Sequence, residues 1–116
     1  APRPRQGAAA EEGAASGLRY VEVTNAQHFD AFLGFGGYDT RFVPLHLYFN
    51  RALDAMWAHL KSGTALPPSQ VVRTTPRGGA PGSAPALAAA HVPPIAATVA
   101  PADAITVDGS TLRVPD

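Results

Sequence analysis

The chain contains no cysteine. Disulfides, thiol nucleophiles and thiolate-held metals are therefore excluded, while the redox compartment stays open. It has no excess charge either, with nine basic against nine acidic residues. A balanced chain offers no electrostatic footprint for nucleic acid or for an anionic membrane surface. No apolar run approaches the roughly 18–20 residues that a membrane-spanning helix needs. Aromatic residues stop at Trp57, so everything after it must be held by small apolar groups and backbone contacts. The hydrophobic fraction of 46% contains much alanine, which buries little area. The first residues carry Arg3 and Arg5 and an alanine cluster, without the leucine-rich centre of a signal peptide and without an initiating methionine. The expectation is a chain that starts inside a longer protein.

What is present falls into four stretches. Residues 1–17 are Ala, Gly, Glu, Gln, Ser, Pro and Arg without periodicity and read as a linker or disordered loop. Residues 18–65 hold most of the large apolar side chains. Tyr20, Val21 and Val23 favour a strand over Leu18–Val23, and neither of its faces is cleanly polar, as in a strand covered on both sides. Thr24 and Asn25 end it. After His28 come Phe29, Phe32, Leu33, Phe35 and Tyr38, too apolar for a solvated loop, with glycines between them that let the backbone bend. This segment is expected to pack down over a cleft beside His28.

From Leu45 the apolar residues Tyr48, Phe49, Ala52, Leu53, Met56, Trp57 and Leu60 recur at intervals of three and four. They predict one amphipathic helix, larger in its apolar face than a single short strand could cover. Asp39 or Thr40 is the expected N-cap, and Gly63 the stop, with Pro67 and Pro68 beyond it. Residues 66–104 alternate Pro with Ala, Gly, Val and Thr and predict extended chain laid over a neighbour. Residues 105–116 place Asp108-Gly109 between apolar pairs, a β-hairpin signal. A packed core of roughly 50 residues is below comfortable size for independent stability, so the chain reads as part of a larger domain.

Four histidines are candidates for chemistry: His28, His46, His59 and His91. A metal site needs two or three converging ligands. His46 and His59 are thirteen positions apart on the predicted helix, about 20 Å by its rise, and cannot share an ion. No metal and no cofactor is expected. His28 stands apart because it follows a strand end, where α/β enzymes place functional side chains. A general base needs one ring nitrogen exposed and the other held by a carboxylate. Asp30, two residues on, suits a backbone-bonding turn better than an orienting role. From spacing alone, a loop histidine with a structural role is the favoured reading over a catalytic one. None of Ser16, Ser62, Ser69, Ser83 and Ser110 stands in a G-x-S-x-G elbow, so no nucleophile accompanies it.

The wording of the chain adds a resemblance. RYVEVTNAQHFDAF, then GYDTRFVPLHLYFNRALDAMWAHLKSGTALPPSQVVRTTPRGG, then VPPIAAT and the ending ITVDGSTLRVPD resemble the C-terminal part of the D-(-)-3-hydroxybutyrate oligomer hydrolases, over Leu18 to Asp116. The resemblance implies an α/β fold, the C-terminal part of an α/β-hydrolase-like domain, and a serine esterase that cleaves 3-hydroxybutyrate oligomers to monomers in poly(3-hydroxybutyrate) degradation. In that arrangement the order is Ser, acid, His, with the histidine after the last main strand. It thus implies His28 as the catalytic base. Nucleophile and acid would lie upstream, so the 116 residues alone would be inactive. The partners implied are the small ester substrate and the remainder of the hydrolase chain, with no nucleic acid and no membrane. The location implied is extracellular or periplasmic, with a cytoplasmic form as the variant. The competing class is a non-catalytic docking module built from the Pro/Ala tail and hairpin. The lack of aromatic residues after Trp57 speaks against it.

Overall fold

Two three-residue strands, distant in sequence, lie side by side at the centre of the molecule. The computed structural model describes residues 18–27, 29–108 and 111–115. Residues 1–17, expected to form a linker, lie outside them. Strand β1 (Val21–Val23) pairs in parallel with β2 (Gln70–Val72), in the register Val21↔Gln70, Glu22↔Val71 and Val23↔Val72. A parallel pair cannot be closed by a tight turn and needs a long crossover. Here the crossover carries a one-turn helix α1 (Tyr38–Arg41) and the long helix α2 (Leu45–Ser62). The strand β2 falls inside the stretch expected to be merely extended. Its three residues are all buried, because they are sandwiched between β1 and residues 104–105. Gln70 bridges Ala104 in antiparallel fashion, and the Ile105 amide donates to the Ser69 carbonyl at 3.1 Å.

Helix α2 follows the three-and-four spacing and stops where glycine allows. Gly63 adopts φ 71°, and its amide donates to the His59 carbonyl at 3.0 Å. A left-handed residue is accessible to glycine at little steric cost. The start differs from expectation. Pro44 occupies the N-cap position and has no acceptor to offer, and the acceptor comes instead from Asp30. Asp39, one of the expected caps, sits in α1 and accepts from the Gly82 and Ala84 amides at 3.1 and 3.2 Å. The Gly82 amide holds the Asp39 carboxyl below its ordinary range against a smaller opposing effect of burial, with the Ala84 amide and the Arg77 charge adding to it. Thr40, the other expected cap, is buried and donates to the Gly37 carbonyl.

The core is small and draws on both the 18–65 and the 66–104 stretches. Val43 is fully buried and packs with Tyr48, Val72 and Val92, flanked by Val23, Ala26, Leu47, Leu87 and Ile95. The Pro/Ala-rich tract therefore supplies core side chains. It is tied down by Tyr48, whose hydroxyl donates to the Pro93 carbonyl at 2.6 Å, and by Arg51, which donates to the carbonyls of Val92 and Pro93. The terminal strands β3 (Thr106–Asp108) and β4 (Thr111–Arg113) form an antiparallel hairpin.

Of the apolar stripe on α2, only Tyr48 is buried. Phe49, Leu53, Met56, Trp57 and Leu60 are exposed, Leu60 to 72%. The stripe is wider than a two-stranded pair, so one flank of it overhangs. Each such side chain would contribute about 1.5–3 kcal/mol if covered.

Candidate active site

The side chains of interest lie where β1 and β2 both end. In α/β sheets, the crevice outside the carboxyl ends of parallel strands is where ligands bind. Beyond Val23 the chain enters Thr24 and Asn25, and beyond Val72 it enters Arg73 and Thr74. The two exits are locked together. The Thr74 amide donates to Thr24 Oγ1 at 2.8 Å, the Thr74 hydroxyl donates to the Thr24 carbonyl, and Asn25 Nδ2 donates to the Thr74 carbonyl at 3.0 Å. Asn25 has φ 57°, a left-handed conformation that asparagine tolerates better than most residues. That turn redirects the chain, and the Asn25 carbonyl accepts from the Val43 amide at 2.7 Å.

A second anchor follows five residues later. Asp30 opens a single 3-10 turn (Asp30–Gly34), and its carboxylate sits on the N-terminus of α2. Oδ1 accepts from the Leu45 amide at 2.7 Å and Oδ2 from the His46 amide at 2.8 Å. Oδ2 also lies 2.5 Å from Nδ1 of His46. Burial pushes the Asp30 carboxyl up, but the two amides and the His46 ring together outweigh it and hold the group below its ordinary value. Asn25 and Asp30 are thus both fastened to the Val43–His46 segment. His28 lies between them in sequence and outside the described residues.

Asp30 bonds backbone, but at a helix start fifteen residues away rather than in its own turn. Its two oxygens bind the start of α2. Of the other described acids, Asp103 pairs with Arg73 at 2.6 Å, Asp39 binds amides, and Asp54 is on an exposed face of α2. The side-chain nitrogen of Gln27, next to position 28, is buried with no partner among the described residues. A buried unpaired donor costs about 1–3 kcal/mol.

The other histidines are separate. His46 is exposed beside Asp30, His59 Nδ1 lies 2.9 Å from the Thr64 carbonyl, and His91 Nδ1 accepts from the Ala88 amide at 2.8 Å. No group of three metal-ligating side chains exists among the described residues. The aromatic residues form a chain of ring contacts, edge-to-face except for the tilted Phe32–Phe35 pair. Phe29 meets Phe32 at 5.7 Å between centroids, Phe32 meets Phe35 at 5.7 Å, and Tyr38 meets Phe42 at 5.5 Å. Phe29 and Phe35 remain more than half exposed, so the segment expected to pack down stacks on itself instead.

Comparison with known proteins decides which family this arrangement comes from. The sequence pattern of the 3HB-oligomer hydrolase (3HBOH) family matches residues 1–116. The chain belongs to the 3HB-oligomer hydrolase family. A D-(-)-3-hydroxybutyrate oligomer hydrolase of Paracidovorax citrulli is 65% identical over 109 residues, covering 90% of this chain and 15% of the relative. Those of Paraburkholderia xenovorans and Azoarcus are 61% and 64% identical, again over 15% of their own lengths. The chain therefore spans about 15% of the length of these 3HB-oligomer hydrolases. No solved structure matches it.

Sequence reasoning singled out His28 but not the contacts made by Thr24, Asn25 and Asp30 on either side of it in sequence. The Thr24–Asn25–Thr74 lock joins residues about fifty positions apart, and no local pattern announces it. The Asp30 cap had one faint signal, a proline at the N-cap of a strong helix, which calls for an acceptor from elsewhere.

Proposed function

We propose that the chain is the C-terminal part of a serine esterase of the α/β-hydrolase type that hydrolyses D-(-)-3-hydroxybutyrate oligomers to monomers, and that His28 is its general base. The observation that carries this is the 65% identity to a 3-hydroxybutyrate oligomer hydrolase over nearly the whole chain. It is supported by the position of residue 28 in sequence, five residues past the end of a strand in a parallel pair. In this reading a serine elsewhere in the hydrolase forms a bond to the ester carbonyl carbon while its proton passes to His28. The ester C–O bond breaks, and His28 returns the proton to the departing alkoxide, which leaves as the hydroxyl of a hydroxybutyrate unit. Water then gives a proton to His28 as it attacks the acyl-enzyme. The acid is released, and the serine regains the proton. The Phe29, Phe32, Phe35 and Tyr38 rings are suited to wall the acyl side of such a pocket.

The test is His28→Ala in the complete hydrolase, assayed on 3-hydroxybutyrate oligomers. The turnover number is expected to fall by roughly 10³-fold or more with the fold preserved. Turnover near the wild-type rate would remove His28 from the mechanism.

A further inference from the structure

Among the described residues, the edge of β1 that faces away from β2 has no pairing strand, and Val21 on β1 also lines a cleft beneath α2. The Gln70 amide donates to the Tyr20 carbonyl at 2.9 Å and the Thr24 amide donates to the Val72 carbonyl at 3.0 Å. Alternate residues of a strand present their backbone groups to alternate edges. The N–H and C=O groups of Val21 and Val23 therefore point to the other edge, where no backbone group of the described residues meets them. Val21 also lines a cleft of about 420 Å³ between α2 and the start of the strands, which is lined mainly by apolar groups, among them Ala52, Met56, Leu60, Leu66 and Ile95. Val21 belongs both to the unpaired strand edge and to the apolar cleft, and Met56 and Leu60 belong both to the cleft and to the exposed Phe49–Leu53–Met56–Leu60 flank of α2.

We infer that this edge and cleft receive a β-strand from the part of the hydrolase outside these 116 residues, which pairs with Val21 and Val23 while its side chains fill the cleft under Met56 and Leu60. The length of the relatives supports that occupant, since most of their polypeptide lies outside the segment matched here. Parallel sheets are found covered on both faces, and an unpaired apolar edge is a site for a further strand. Residues 1–17 contain no Val, Ile, Leu or aromatic residue and so lack strand formers. The inference rests on the chain being one part of a longer hydrolase, and it does not depend on the role of His28.

Hydrogen exchange in the intact hydrolase, resolved to single amides, tests the pairing with an internal reference. The Thr24 amide is bonded to β2, and the Val21 and Val23 amides are expected to exchange within about tenfold of it. Exchange at these two residues at the rate of an exposed loop, with Thr24 still protected, would overturn the proposal. Protection that disappears on dilution would assign the edge to a second copy, and protection that disappears on deleting residues 1–17 would assign it to that segment. Either result would overturn the proposal too. A second measurement needs no strand substitution. Met56→Cys and Leu60→Cys in the intact hydrolase are expected to react with a maleimide at least about tenfold more slowly than Asp54→Cys on the polar face. Equal labelling would overturn the covering of the cleft. His28→Ala should leave both readouts unchanged, so failure of the general-base reading is distinguishable from failure of this one.

Discussion

The Asp30 carboxylate lies 2.5 Å from Nδ1 of His46 and accepts the first free amides of α2, those of Leu45 and His46. A residue fifteen positions upstream thereby does what a local N-cap would do, and it fixes the segment that follows His28 to the start of the longest helix. The position also places a negative charge at the positive end of the helix dipole.

Replacing Asp30 by Ala is expected to cost about 1 kcal/mol at the helix start, the usual value of a lost cap. Hydrogen exchange at Leu45 and His46 should then accelerate roughly fivefold. The same contact carries a pH dependence. Because the folded carboxyl is held below its ordinary value, its contribution is complete above about pH 4, where the unfolded group is also ionised. It is lost as the pH falls through the lower folded value. The difference between wild type and Asp30→Ala should therefore shrink on acidification below about pH 4 and stay constant above it. A difference that grows on acidification would contradict the assigned hydrogen bonds.

Gln70 offers a second test. It is 2% exposed, and its side chain completes both backbone bonds of Ala96. Oε1 accepts the Ala96 amide at 2.8 Å, and Nε2 donates to the Ala96 carbonyl at 2.9 Å and to the Pro68 carbonyl at 2.8 Å. Gln70→Leu keeps the volume and strands those groups, at a cost of about 1–3 kcal/mol. Exchange at the Ala96 amide should rise by about tenfold or more. An unchanged rate would mean that the tract is held by packing alone.

An active-site-directed fluorophosphonate locates the nucleophile. Labelling the complete hydrolase and mapping the modified peptide should place the phosphonyl group on a serine outside residues 1–116. The 116-residue chain by itself should neither take the label nor hydrolyse a chromogenic butyrate ester. A labelled Ser16, Ser62, Ser69, Ser83 or Ser110 would overturn the reading that the nucleophile comes from elsewhere.

Much of the chain was legible because its signals are local. Helix α2 is written in intervals of three and four with a glycine stop, and it runs Leu45–Ser62. The hairpin is written in Asp108-Gly109 between apolar pairs, and β3 and β4 pair antiparallel. The strand before His28 is legible in Tyr20-Val21-Glu22-Val23, although only Val21–Val23 is laddered. Less visible was β2. Gln70-Val71-Val72 is a short stretch among prolines, and it becomes a strand because β1 and residues 104–105 close on both of its edges.

The sequence by itself determined the family, the helix with its apolar stripe, and the position of His28 after a strand, since each depends on residue order over short distances. Only the tertiary structure decided that β1 pairs in parallel with β2, that Asp30 rather than Asp39 or Thr40 caps α2, and that Thr24, Asn25 and Thr74 lock the two strand exits. It also decided that most of the apolar stripe stays uncovered within these residues. The physical reason is the same in each case. Pairing, capping and burial are satisfied by whichever group the fold brings within hydrogen-bond or van der Waals reach, and across fifteen to fifty residues that choice belongs to the packed chain.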